Sequence, residues 1–305
     1  MFEVHTARRE KQKAVVGLIG PSGAGKTVGA LMIAKGMMQA AYPDADDSTL
    51  WSKIGVADTE HKRSMLYANV DFGNDNKIGE FLHINFDPPY STDRYQAAVE
   101  ALKQAGAEVV VIDSLSHNWQ GEGGIVDQHA GMSGNSFQNW GKLSSETTKL
   151  VKTLTRNNVH IIATLRTKQE YAVETNDHGR MQPVKIGTKP VQKDEMEYEF
   201  MLNFSLDMSN KAVATKDNTL LFKDQEIKLT PDIGKNLYNW LELGADVKAE
   251  EDRERQHLLD DIKIAIANDA EKKKLVEQFE FKTGMKIEDF DYKYTKAAHE
   301  KLKLN

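Results

Sequence analysis

The segment that most restricts what this chain can fold into is Gly20-Pro21-Ser22-Gly23-Ala24-Gly25-Lys26-Thr27. It follows directly on an apolar run, residues 14–19, and opens an amphipathic segment, residues 27–41. The order strand, glycine turn, helix is the context in which this spacing forms a phosphate-binding loop, the Walker A pattern. Its glycines let successive N–H groups point at phosphate oxygens, and the helix N-terminus adds a favourable dipole. In such a loop Lys26 is expected to reach the β and γ phosphates of a nucleotide, and the Thr27 hydroxyl to ligate Mg2+. The loop also requires a strand that ends at the ligand-bearing edge of a sheet with a helix packed behind it, which points to an α/β protein.

Further short apolar runs at residues 54–57, 81–86, 108–112 and 159–163 have the character of strands buried on both faces. Amphipathic segments separate them, including residues 93–105 with Thr92 as N-cap and residues 144–157. Alternation of this kind predicts right-handed crossovers and a mainly parallel sheet. Beyond Lys168 the pattern changes, because residues 171–173 and 181–186 flank the turn-forming Asn176, Asp177, His178 and Gly179, and a protruding hairpin is expected. Strands at 200–206 and 212–214 and a short helix at 237–243 complete the core. From Glu250 charged residues dominate, with Leu258, Leu259, Ile262, Ile266, Leu275, Val276 and Phe279 at helical spacing. The division expected is an N-terminal arm (1–13), an ATPase core (14–244) and a helical C-terminal domain (245–305).

Composition narrows the classes. A chain of 305 residues that is 40% hydrophobic can bury a sizeable core and carry an accessory domain. The absence of cysteine excludes disulfides, thiolate metal sites and cysteine nucleophiles. A net charge of -6 argues against a uniformly basic DNA-coating protein, though a local basic groove is compatible with it. No apolar run reaches the roughly 18 residues of a membrane span, and the start lacks the apolar stretch of a secretory signal, so the expected location is cytoplasmic.

Two carboxylates join the loop. The strand Val109-Val110-Val111-Ile112 ends in Asp113, the position of a Walker B carboxylate that holds Mg2+, although a strand-end aspartate is also a common capping residue. The strand Ile54-Gly55-Val56-Ala57 runs into Asp58, Thr59 and Glu60. Glu60 is placed to orient and deprotonate an attacking water, while an isolated acidic residue after a strand is more often a solvated turn.

These elements together resemble the RecA-type recombinases, through GPSGAGKT, through ADTEH with Tyr67 seven residues after Glu60, and through VVVIDS. The resemblance spans roughly residues 14–215. It implies a RecA-like P-loop core in which Glu60 is the catalytic glutamate and the Tyr67 ring packs on adenine. The segments IDSLSHNW, IIATLRTKQEY and MEYEF look like phage-encoded RecA-like ATPases of single-strand annealing and recombination. The implied function is ATP- and Mg2+-dependent binding of single-stranded DNA with annealing or strand exchange, by a ring or filament of identical subunits in the host cytoplasm. A single-strand-binding or replication protein is the further partner it implies. A ring motor that translocates nucleic acid, or a nucleotide-switched assembly protein, are alternatives from the same motifs.

The sequence departs from the family where a γ-phosphate-sensing glutamine is expected, since Thr164 is followed by Leu165, Arg166, Thr167 and Lys168. Lys216 lies in a late strand comparable to the one that carries the family's lysines touching phosphates bound to the adjacent subunit, although a lysine at a strand end is more often solvated. Two segments correspond to the family's DNA-binding loops: the glycine-rich 119–135 and the stretch 168–193. In the second, Arg180, Lys185 and Lys189 are expected to meet phosphates and Tyr171 to stack on a base. Glu170, Glu174 and Asp177 in the same stretch suit a subunit-packing hairpin instead. His117 and Trp119 suit either nucleotide sensing or core packing, His83 a structural role, and Lys272 to Lys274 a solvated helix face.

Overall fold

The computed structural model describes residues 6–73, 76–175 and 181–304. Gln12–Leu241 forms one compact unit, and the chain from Glu242 onward forms the other together with the residues up to Lys11.

In the larger unit, β1 (Val15–Gly20) leads through the glycine loop into α1 (Lys26–Ala41), followed by α2 (Asp47–Ser52), β2 (Ile54–Asp58), β3 (Leu82–Asn85), α3 (Thr92–Gln104) and β4 (Val109–Asp113). The chain continues through α4 (Ser116–Gln120), α5 (Ile125–Ala130), α6 (Ser136–Thr155), β5 (His160–Thr175), β6 (Met181–Pro190), β7 (Leu202–Leu206), β8 (Ala212–Asp217), β9 (Glu226–Ile227) and α7 (Pro231–Leu241). The strand order is β3-β2-β4-β5-β1-β7-β8-β9, with β6 paired to β5 outside this path. Pairings from β3 across to β7 are parallel, and those of β8, β9 and β6 are antiparallel. This is the mainly parallel α/β architecture of a P-loop core.

The period-two rule explains the layering. On β1, Val16 and Leu18 enter the hydrophobic cluster shared with α1 and α7, while Val15 and Ile19 enter the opposite cluster with α3 and α6. On β4, Val109 and Val111 face the first cluster, and Val110 and Ile112 the second. Both faces are covered, so these strands read as unbroken apolar runs.

Several boundaries differ from the sequence expectation. The stretch 119–135 is no simple loop, because it contains the end of α4 and all of α5. Helix α6 begins at Ser136 rather than 144, where the Asn135 side chain accepts from the Gln138 N–H at 3.2 Å and caps it. Thr92 is not the N-cap of α3 but a buried residue of its first turn; Ser91 holds the cap position. Strand β5 runs beyond the sheet and pairs with β6 as an antiparallel ribbon, with a register shift between Glu170 and Tyr171. The ribbon's turn, residues 176–180, lies outside the described residues.

The second unit packs α8 (Val247–Asn268), α9 (Ala270–Thr283) and α10 (Tyr292–Lys301) around Leu259, Ile262, Val276, Phe290 and Ala298. The N-terminal arm pairs with the chain near Ala245. Lys11 N donates to Ala245 O and Ala245 N to Arg9 O, both at 2.9 Å, and Lys11 forms an ion pair with Glu242 at 2.7 Å. No described helix is long and apolar enough to cross a membrane.

Candidate functional site

The site forms where β1, β2 and β4 end and β5 passes between β1 and β4. After Gly20 the loop turns through Gly23 and Gly25, whose φ angles of 88° and 80° lie in the left-handed region that a side chain resists. The turn between β7 and β8 braces the loop, with Asn210 Nδ2 donating to Gly23 O at 3.4 Å. A Cβ on Gly25 would stand 2.9 Å from that same amide nitrogen. Pro21 O accepts from Ala24 N at 3.3 Å, and Ala24 turns its methyl into the core, so Gly20, Pro21 and Ala24 shape the loop while Ser22, Gly23 and Gly25 line its cavity.

Lys26 opens α1 with its ammonium largely buried, donating to Gly20 O at 2.9 Å and Pro21 O at 2.7 Å. Burial lowers its pKa, and the carboxylates of Asp113 and Glu60 oppose that shift. Thr27 Oγ1 donates to Asp113 Oδ2 at 2.6 Å, and Thr164 Oγ1 donates to Asp113 Oδ1 at 2.5 Å. Asp113 is only 2% exposed. Burial pushes its carboxyl above the usual range, and the two hydroxyls act in the opposite direction.

Strand order supplies the remaining groups. Because β5 lies between β1 and β4, its side chains rise between the loop and Asp113, and the register sets Arg166 level with Gly20. Arg166 Nε donates to Glu60 Oε1 at 2.7 Å, and a terminal nitrogen donates to Oε2, a bidentate ion pair. Arg63 stands 3.8 Å from the same Oε2. The turn bearing these groups is pinned by fully buried Asp58, which accepts from Glu60 N at 2.7 Å, Ser64 N at 2.9 Å and Ser64 Oγ at 2.5 Å. Ser64 lies in the first turn of the short helix Arg63–Tyr67, so Asp58 sets the positions of Glu60, Arg63 and Tyr67 together. All three line one cavity of about 160 Å³ with Lys26, Thr27, Asp113 and Arg166.

The sequence-selected Lys26, Thr27, Glu60, Tyr67 and Asp113 are therefore brought together. Lys216 is not among them: it lies on β8 and gives its ammonium to the Tyr198 carbonyl. Of the DNA candidates, Arg180 and the side chains of Tyr171 and Lys185 lie outside the described residues, although the backbone register sets Tyr171 opposite Lys185. Lys189 stands 3.8 Å from Glu170 and 3.6 Å from Asp194. His117 Nδ1 lies 2.6 Å from Thr59 Oγ1 and its ring stacks on Tyr90, while His83 reaches Asp58 at 3.4 Å. Sequence reasoning missed Arg166, Thr164 and Asp58 as site groups. A signal was present for the first two, since residues two apart on one strand share a face and that strand passes beside the loop.

No curated protein matches the chain. The family model described as an AAA domain matches residues 12–230, most of the larger unit and well over half of the chain. With its glycine loop, strand-end aspartate and mainly parallel sheet, the chain belongs to the AAA domain family AAA_24, a family of P-loop ATPases, with the nucleotide-dependent activity that membership carries.

Proposed function

We propose that the protein is a Mg2+-dependent ATPase whose nucleotide cycle controls binding of single-stranded DNA, and that it serves annealing or strand exchange in phage recombination and replication. The observation that carries this reading is the meeting of Lys26, Thr27, Glu60 and Asp113 around the N-terminus of α1. A triphosphate fits that edge, where Lys26 exchanges its two loop carbonyls for β and γ oxygens. The Thr27 hydroxyl and the Asp113 carboxylate are hard oxygen donors already in contact, a pairing that suits Mg2+, and a cation there offsets the cost of burying Asp113. An ion held by these two residues would neutralise charge on the phosphates. Glu60 orients the attacking water and accepts its proton, and Tyr67 borders the adenine.

Support for single-stranded DNA comes from an aromatic platform within the glycine-rich stretch and α6. Trp140 stacks with His129 and with Trp119, ring centroids 4.0 Å and 5.7 Å away, and is itself 38% exposed, while Phe137 on the same helix is 87% exposed. Exposed flat rings of this kind stack on bases without regard to sequence. Arg180, Lys185 and Lys189 of the ribbon supply the phosphate contacts and Tyr171 a further stacking ring; Lys216 serves the phosphates bound to a neighbouring subunit in a ring or filament. A single-strand-binding or replication protein is the further partner, and the host cytoplasm the location.

The test is the ATPase rate with and without single-stranded DNA, with particle size measured on the same samples. Stimulation by DNA together with assembly is the expected result. Hydrolysis without DNA affinity turns the reading into a nucleotide-switched assembly protein, directional unwinding of a tailed duplex into a ring motor, and the absence of hydrolysis removes the ATPase.

A further inference from the structure

We infer that Arg166 reads the γ-phosphate of ATP and that, when no γ-phosphate is present, it holds Glu60 in an ion pair that keeps this carboxylate from activating water. The inference rests on the ATPase reading above and concerns the regulation of the same site. Both Glu60 oxygens accept from one guanidinium, which occupies a lone pair on each and fixes the direction in which the carboxylate faces. The two partners differ in freedom. The Glu60 side chain is 10% exposed and its main-chain N–H is bound to buried Asp58, whereas the Arg166 side chain is 41% exposed. The arginine is the partner that moves.

Electrostatics give the direction. Arg166 and Lys26 share the cavity closely enough that the guanidinium disfavours the lysine's charge. A γ-phosphate entering between them brings roughly two negative charges against the single charge of Glu60. The guanidinium fork matches phosphate oxygens as well as it matches a carboxylate, so it turns from Glu60 to the phosphate. Glu60 is then open to the attacking water. The water oxygen bonds to the γ phosphorus, the bond from phosphorus to the β–γ bridging oxygen breaks with its electron pair leaving on ADP, and the water proton passes to Glu60. ADP offers Arg166 nothing in the γ position, and the ion pair re-forms. Arg63 makes only one long approach to Glu60 and does not grip both oxygens.

The pair therefore sets a preference for ATP over ADP, which calorimetric binding of Mg-ADP and of the Mg β,γ-imido analogue of ATP measures without turnover. Arg166→Met is expected to weaken the analogue about ten-fold or more and leave ADP nearly unchanged, the scale of removing one charged hydrogen-bonding group. Glu60→Gln frees the arginine and is expected to tighten the analogue while leaving ADP unchanged. The double variant, which leaves no buried charge unpaired, retains the analogue-specific loss and guards against misfolding of the single one. Equal effects on ADP and analogue, or none on either, overturn the inference while the nucleotide site stands. If the wild type binds neither nucleotide, the ATPase reading fails and the inference with it.

Discussion

Lys26 is largely buried and stabilised by carbonyl dipoles and two nearby carboxylates, which holds its charge at the loop where the proposed ATPase needs it. Lys26→Ala is expected to lower turnover by roughly a hundred-fold or more, because stabilising transition-state charge is the main contribution of such a site; steady-state ATPase assays check this. Glu60→Gln is expected to slow hydrolysis by roughly a hundred-fold through loss of the base while nucleotide still binds, which single-turnover measurements separate from binding. His160 shows a residue-scale effect away from the site. It is buried, its Nδ1 accepts the Ala14 N–H at 3.0 Å, and burial beside Lys13 lowers its pKa to about 3. The folded pKa lies below the unfolded value near 6.5, so this contribution to stability is complete above pH 6.5 and is lost as pH falls towards 3. At pH 5 the loss is about 2 kcal/mol. Urea denaturation of the wild type and His160→Asn at pH 7.5 and pH 5 should show a smaller pH-dependent loss in the variant. At this scale the loop and Asp113 were legible because each is a local signal, a contiguous motif or a strand end. Arg166 was not, because its meaning depends on Glu60, 106 residues away in sequence.

Among the elements, α1 is held to the sheet edge by an unusually close approach of α7. A Cβ on Gly36 would lie 1.7 Å from Pro231 O, and one on Gly234 would lie 2.0 Å from Ile33 O. Backbone meets backbone there, so neither approach relaxes by turning a side chain. Gly234→Ala is expected to destabilise the larger unit by roughly 1–3 kcal/mol, the cost of overpacking, read as a lower denaturation midpoint. Since α1 carries Lys26 and Thr27, the same variant is expected to weaken nucleotide binding near its own midpoint and to recover it at lower temperature. Strands and major helices were legible from periodicity. The start of α6 was not, because the polar turn Ser136-Phe137-Gln138-Asn139 lacks a clear apolar stripe, and Asn135 acts as a cap only once the helix exists. The closing helix likewise starts at Pro231, where proline tolerates the first helical turn, six residues before its apolar pattern becomes obvious.

For the whole molecule, the sequence implied a parallel sheet but not its order, since crossover rules leave many arrangements of nine strands open. Order matters because inserting β5 between β1 and β4 is what delivers Thr164 and Arg166 to the phosphate edge and carries the same strand outward as the β5–β6 ribbon. One strand thus runs from the nucleotide to the proposed DNA surface. Replacing Arg180, Lys185 and Lys189 together is expected to weaken single-stranded DNA binding while leaving basal, DNA-free ATPase activity largely intact. Each phosphate that is no longer neutralised reduces the slope of log affinity against log salt by roughly 0.7 for a single strand, so removing three cations flattens it by about 2 units. Lys189 lies near two carboxylates, so its share falls below that of a free cation if those neighbours retain it when DNA binds. Trp140→Ala should weaken binding with little change of slope, because stacking releases no counterions. Salt titrations of DNA binding, with ATP binding measured on the same samples, check both variants. A wild-type slope in the triple variant together with weaker binding by Trp140→Ala moves the DNA path from the ribbon to the aromatic platform, whereas wild-type binding in both removes DNA from the function.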